Sequence, residues 1–274
     1  MATNNGSLTI AGCGLHPGHM TLETESLIKN AEKVLLVAPN PLSIQHIISL
    51  NSTTEHLGKY YNEDGISRPD IYKKMAKHII DLVRSGVQVV TIFYGHPGVF
   101  VTSTRLASDV LKQEGYPVKM LPGIAADACL YADLDLDPAD TGCQSYEATR
   151  FLLTKRTPDT SAALILWQLG LTGEHTSDHF KPGEQGLKAL SKLLQEYYPA
   201  EHMICIYEAP TLPGFQPRKD WIAIRELSEA EVSVISTLYV PACNESVFAQ
   251  ERLEWLGISI TDIDHWNESQ ELTN

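Results

Sequence analysis

Arg68 and Tyr72 stand four residues apart in the segment KYYNEDGISRPDIYKKMA (59–76). Ser67 reads as an N-cap, with Pro69 near the first helical position and Asp70 three residues on, so the pair falls on one side of an opening helical turn. An isolated tyrosine has a pKa of about 10. A guanidinium within contact distance favours the phenolate and brings that oxygen toward useful basicity. Together the two offer a base for a weakly acidic proton and a cation for charge that builds on an oxygen. The same spacing also suits an ordinary helix surface, so the pair needs a context.

Three glycine turns supply a candidate context. AGCGLHPGHMTLET (11–24), YGHPGVF (94–100) and LPGIAADA (121–128) each follow an apolar run. Open α/β sheets bind ligands at the edge where such strands end. In YGHPGVF, Gly95, Pro97 and Gly98 make a fixed, sharp turn with His96 at its centre. Two such turns at neighbouring strand ends would line one small-molecule pocket. A nicotinamide dinucleotide site is not indicated: Pro17 takes the third glycine position, and Ala38-Pro39 ends the second strand without an acid for the ribose. His175 and His179 have the spacing of metal ligands, but no third ligand is suggested near them, so no metal is expected. His16 and His19 flank a Pro-Gly turn and read as loop residues.

The elements that must position these residues follow from periodicity. SLTIAG, VLLVA, VQVVTIF and PVKMLP are short apolar runs, read as strands buried on both faces. Between them, helical spacing runs through Leu22, Leu27, Ile28 and Ala31, from about Arg68 to Ser85, and from Ser103 to Glu114. Strand alternating with helix predicts a mostly parallel sheet in residues 1–125. The second half holds ALILWQL, HMICIYEA, DWIAIREL and STLYVPA as strands, with one clear helix at 186–197. That predicts a mixed-sheet α/β domain over 126–243. Residues 244–274 are expected to form a polar tail with a short helix around 247–256.

Composition narrows the function classes. The chain has 274 residues, 43% hydrophobic and 20% charged, which suits an ordinary globular protein. No run of about 18 apolar residues offers a membrane span. Acids outnumber bases 34 to 21, a net charge of −13 that argues against nucleic acid or anionic lipid as partner. The five cysteines are dispersed without a CxxC pair, and the start MATNNGSLT lacks a signal peptide's features. Both features point to reduced thiols and a cytoplasmic location.

The motifs, in order, resemble the tetrapyrrole methylase superfamily, S-adenosylmethionine (SAM) methyltransferases with the cofactor cleft between two α/β domains. AGCGLHPGHMTLET is similar to its opening glycine turn, YGHPGVF to its YGDP-type motif with His96 in the acid's place, and LPGIAADA to its PGIS motif. YEAP (207–210) is similar to its later Y-E segment. Within that superfamily, YGHPGVFV, EGYPVKMLPGIAADACLYADLDLDP, GCQSYEAT and ILWQLG resemble the borosin peptide-backbone α-N-methyltransferases.

That resemblance implies methylation of main-chain amide nitrogens in a ribosomal precursor peptide. It carries the catalytic Arg and Tyr onto Arg68 and Tyr72, a further tyrosine onto Tyr61 or Tyr60, and another onto Tyr94. It implies cofactor contacts at His96, Val99, Phe100, Thr102, Ser103, Ala125, Gln168, Ala209, Val240 and Pro241, with S-adenosylhomocysteine as the product form. The sequence ITDIDHWNESQELTN lacks a Val/Ile/Gly-rich core, so the split kind is expected, acting on a separate small protein. A homodimer, and a heterotetramer with substrate, are further implications. The alternatives are a corrinoid or porphyrin methyltransferase and a non-catalytic SAM-binding sensor.

Overall fold

The computed structural model describes residues 6–38, 40–62, 66–174 and 185–263. Within them the chain builds two five-stranded sheets. The first contains β1 (Ser7–Gly12), β2 (Lys33–Val37), β3 (Glu55–His56), β4 (Gln88–Phe93) and β5 (Val118–Met120), in the order β3-β2-β4-β1-β5. Every pairing in it is parallel. The helices between these strands are α1 (Leu22–Asn30), α2 (Pro41–Leu50), α3 (Arg68–Arg84) and α4 (Thr102–Gln113).

The continuous apolar runs are explained by burial on both faces. Leu35 and Val37 of β2 and Val89 and Phe93 of β4 pack with Ile71, Met75 and Ile79 of α3. Their neighbours Val34, Leu36, Val90 and Ile92 turn to the other face, against Ile28 of α1 and Ile47 of α2. Strand alternation thus feeds two cores from one run.

The second half contains α5 (Ala126–Asp133), β6 (Cys143–Glu147), α6 (Ala148–Leu153), β7 (Ala163–Trp167), α7 (Gly186–Leu194), β8 (Met203–Glu208), β9 (Arg218–Ala223), β10 (Thr237–Val240) and α8 (Gln250–Leu256). Its sheet runs β6-β7-β10-β8-β9. The β6–β7 pair is parallel, and the pairs β7–β10, β10–β8 and β8–β9 are antiparallel. Leu164, Leu166, Ile204 and Ile206 pack toward Leu190 and Leu194 of α7. Ile165, Cys205 and Tyr207 face Leu130 of α5 and Leu15 from the first glycine turn.

Several elements depart from the expectation. DWIAIREL is strand only as far as Ala223; Ile224–Glu229 is a 3-10 turn. The Glu226 carboxylate accepts the Ala223 N–H at 3.0 Å, which ends the ladder there. α6 and β6 lie in a stretch where no element was expected, because CQSYE carries no apolar run and edges its sheet. The helices predicted over 186–197 and 247–256 are shorter, Gly186–Leu194 and Gln250–Leu256.

Candidate functional site

The glycine turns after β1, β4 and β5 lock into one another. A Cβ added to Gly12 would stand 2.2 Å from Gly95 O and 2.8 Å from Gly123 Cα. Gly95 N–H donates to Gly14 O at 2.9 Å. No side chain fits between these backbones, so the spacing of the three motifs reflects direct main-chain contact. Asn40 extends the junction. Its Oδ1 accepts the Ser43 N–H at 2.8 Å to cap α2, and its Nδ2 donates to Leu15 O and Thr211 O, both at 3.1 Å.

Around this junction opens a cleft of about 550 Å³, lined from both halves of the chain. Its size is that of a small-molecule site. Seven of the residues singled out in the sequence line it: Tyr94, His96, Val99, Phe100, Ala125, Gln168 and Ala209. Phe100 and Gln168 hold φ of 58° or less in the left-handed region, at 56° and 58°. Backbone strain of this kind at non-glycine residues collects where a ligand site over-determines the chain. Gly98 N–H donates to His96 Nδ1 at 3.0 Å, which leaves the ring proton on Nε2. His16-Pro17-Gly18 repeats the arrangement, with Gly18 N–H on His16 Nδ1 at 3.1 Å.

The other expected cofactor residues fall outside the lining. Thr102 and Ser103 form the first turn of α4, where Ser103 is buried. Val240 is fully buried in the second sheet's core, and Pro241 O lies 3.0 Å from His202 Nε2. From the same strand, Thr237 lines the cleft instead. α5 begins at the cleft without a side-chain cap, since Ala125 holds the N-cap position. The Ala128 N–H donates to Asp127 Oδ1 at 2.8 Å, and the N–H groups before it can meet an anionic group.

At the edge of the cleft lies a tyrosine cluster. The Tyr61 ring stands edge-on to Tyr72, with centroids 6.5 Å apart at 82°. Tyr60 turns the other way, into the core beside α3, its ring 6.3 Å from that of His78. The two alternatives therefore have different surroundings, and Tyr61 is the one beside Tyr72. Burial raises the Tyr94 pKa, Tyr72 adds to the rise, and the Arg68 guanidinium opposes both. Tyr61 moves up in the same way: burial first, then its Tyr72 and Tyr94 neighbours, against Arg68. Tyr94 lines the cleft and is 47% exposed. Both phenols are consequently protonated at neutral pH. The expectation that arginine favours phenolate does not extend to these two, because desolvation wins.

Sequence reasoning did not single out Leu15, Asp127, Trp167, Thr211, Val234 or Ile235 as site residues, yet all line the cleft. Ser145, Tyr146 and Glu147 also do, and the motif GCQSYEAT pointed toward them. Glu147 caps α6 through the N–H groups of Thr149 and Arg150 at 2.9 and 2.7 Å. Trp167 Nε1 donates to Ser145 Oγ. Tyr207 of YEAP is buried and donates to Asp133 Oδ2 at 2.7 Å, tying β8 to α5. The lining contains no lysine or arginine among the described residues. Among those residues, too, no cluster of three metal-ligating side chains and no membrane-length apolar helix occurs; His175 and His179 lie outside them.

Two five-stranded sheets, with interlocked glycine turns at the strand ends of the first and a cleft lined from both halves, define the architectural class. The chain belongs to the tetrapyrrole (corrin/porphyrin) methylase family, which it matches over residues 7–218. Solved structures share the fold: uroporphyrin-III C-methyltransferase from Thermus thermophilus has a TM-score of 0.61 at 20% identity, covering 87% of this chain and 93% of that one. A structure of the Thermus thermophilus enzyme with S-adenosylhomocysteine has a TM-score of 0.57 at 19% identity, covering 86% and 92%. Sequence relatives are nearer. The methyltransferase/ribosomally synthesized cyclic peptide gymnopeptides precursor of Gymnopus fusipes is 37% identical over 96% of this chain and 64% of its own length. The corresponding omphalotin A precursor of Omphalotus olearius is 37% identical over 87% of this chain and 58% of its own. The chain thus spans about three fifths of these relatives.

Proposed function

We propose that the chain is a SAM-dependent methyltransferase that methylates main-chain amide nitrogens of a ribosomally made peptide. The observation that carries this reading is Tyr94, which belongs both to the cleft and to the cluster of Arg68, Tyr61 and Tyr72. A cofactor pocket and a proton-handling group therefore share an edge. The names of the fused methyltransferase–precursor relatives support the peptide as substrate.

The cleft suits the cofactor. Its acidic lining residues, Asp127 and Glu147, with no facing lysine or arginine among the described residues, fit a cationic sulfonium. The uncapped start of α5 fits a carboxylate. When bound, SAM supplies an electrophilic methyl group.

A peptide nitrogen is a poor nucleophile because its lone pair is delocalised into the carbonyl. Arg68 offsets the charge that builds on the substrate's carbonyl oxygen as the N–H proton leaves. Tyr61 and Tyr94, as phenols, donate to that same oxygen, and Tyr72, acting in its phenolate form, takes the amide proton and becomes the phenol. His96, on the cleft lining, would help hold the cofactor and takes no part in proton transfer.

The finer reading is that the substrate is a separate small protein. Residues 244–274 are acidic and polar, unlike a Val/Ile/Gly-rich target, so the proposed methylation sites lie outside that segment. We further propose a cytoplasmic homodimer, able to form a heterotetramer with its substrate, divided into units at 1–125 and 126–243. Intact mass after incubation with SAM and a candidate peptide tests the reading. Added methylene masses on the peptide's backbone nitrogens are expected. Methylation of 244–274 instead would make the chain self-modifying, transfer to a tetrapyrrole would place it in the corrinoid and porphyrin branch, and SAM binding without turnover would make it a sensor.

A further inference from the structure

Glu208 ends β8 with its side chain only 17% exposed. One oxygen, Oε1, accepts three hydrogen bonds, from Ser233 Oγ at 2.7 Å, Ser236 Oγ at 2.5 Å and Arg218 Nη1 at 3.0 Å. Arg218 also donates to Glu231 O at 2.8 Å, so both ends of the 231–236 segment are tied to the same ion pair. Burial alone would raise this carboxyl's pKa. The serine hydroxyls and the Arg218 charge together outweigh it and hold the group below its ordinary value. It is a carboxylate at neutral pH, and a strong acceptor.

The segment that Glu208 fastens reaches two parts of the cleft. Between the serines stand Val234 and Ile235, 43% and 51% exposed and both on the lining. Ser236 O accepts the Leu169 N–H at 2.9 Å, and a Cβ on Gly170 would stand 1.9 Å from Ser233 O. The segment is therefore seated on the turn that holds Gln168 in its left-handed conformation.

We propose that Glu208 is a positioning residue: through Ser233 and Ser236 it sets the Val234–Ile235 wall and the Gln168 turn against the cofactor. This rests on the SAM-binding reading above. Glu208 touches no reacting atom; it acts by fixing where the wall stands, which is the kind of support that keeps a site's geometry within tolerance.

The test uses Glu208→Ala, Ser236→Ala and Glu208→Gln, with two readouts. Calorimetry measures S-adenosylhomocysteine affinity, and amide hydrogen exchange follows residues 168–170 and 233–236. Glu208→Ala and Ser236→Ala are expected to weaken binding by about 10-fold and to speed exchange in both segments, whereas Glu208→Gln, which keeps an acceptor oxygen, stays within about threefold of wild type. A merely structural role would lower the melting temperature of the alanine variants and leave affinity in the folded fraction unchanged. Wild-type affinity in both alanine variants, or unchanged exchange, overturns the proposal. Should Glu208→Ala fail to fold, Ser236→Ala, which loses one hydroxyl, decides alone. If the wild-type chain binds neither SAM nor its product, the proposed function fails, and exchange alone then decides whether Glu208 positions the wall.

Discussion

Tyr94 illustrates how far single residues were legible. Its place at the head of YGHPGVF marked it, and it does stand on the cleft, but only coordinates show that it also meets Arg68, Tyr61 and Tyr72. The choice between Tyr60 and Tyr61 was invisible in sequence, because adjacent residues in a 3-10 turn point to different sides. Val240 shows what a linear motif omits: a position at a strand's end says nothing of which face the side chain takes, and this one faces the core. The chemistry of the cluster gives the residue-scale prediction. Tyr72→Phe removes one oxygen and keeps the ring that α3 packs against the first sheet's core. The fold and S-adenosylhomocysteine affinity should survive, while single-turnover methylation falls by about 10²-fold or more. Arg68→Ala should lose a similar amount, and the double variant little more, since the two act as a unit. Near-normal turnover in Tyr72→Phe would move the base to another group.

At the scale of elements, the turn that carries Tyr61 depends on a charge cluster on its flank. Glu55 of β3 meets Lys33 at 3.0 Å, Lys59 at 2.7 Å and His78 Nε2 at 3.1 Å. These join β2, α3 and the Leu57–Asn62 turn around one carboxylate. Burial opposes its ionisation, but the Lys59 and Lys33 hydrogen bonds and the nearby His78 together lower its pKa to about 2. A depressed carboxylate pKa contributes stability that is fully present above the unfolded value and is lost as pH falls through the folded one. The window therefore runs from about pH 4.5 down to about pH 2. Solvent screening leaves a contribution on the order of 1–2 kcal/mol. Glu55→Gln should lower denaturant stability at pH 7 by that amount and flatten the acid limb in this window. An unchanged acid limb would refute the assignment. β3 itself escaped the sequence reading, because a two-residue strand has no periodicity to detect. DWIAIREL misled for a different reason. Ile224 and Leu227, spaced by three, carry a helical signal that the preceding alternation masks.

For the whole molecule, the parallel sheet was legible because each strand is buried on both faces and reads as an unbroken apolar run. The second sheet was legible as mixed, though the polar edge strand β6 was not. The turns pointed to a cleft, but periodicity alone could not give its full lining, since that exists only where the two halves meet. Tyr94, Val99 and Phe100 come from one half, and Trp167, Gln168, Ala209 and Val234 from the other. A ligand that touches both walls binds the folded chain and has no site on the unfolded one, so it must stabilise the whole by mass action. At about 100 times its Kd, S-adenosylhomocysteine should add about 2.7 kcal/mol. For a chain of this size that raises the melting temperature by several degrees, read by calorimetry. Because the proposed site uses carboxylates, backbone N–H groups and apolar walls, the rise should be the same in excess chelator. A shift that chelator abolishes would mean that a metal ion holds the ligand. No shift at any ligand concentration would mean that the cleft between the sheets takes a different molecule, and the methyl-transfer proposal would fall with it.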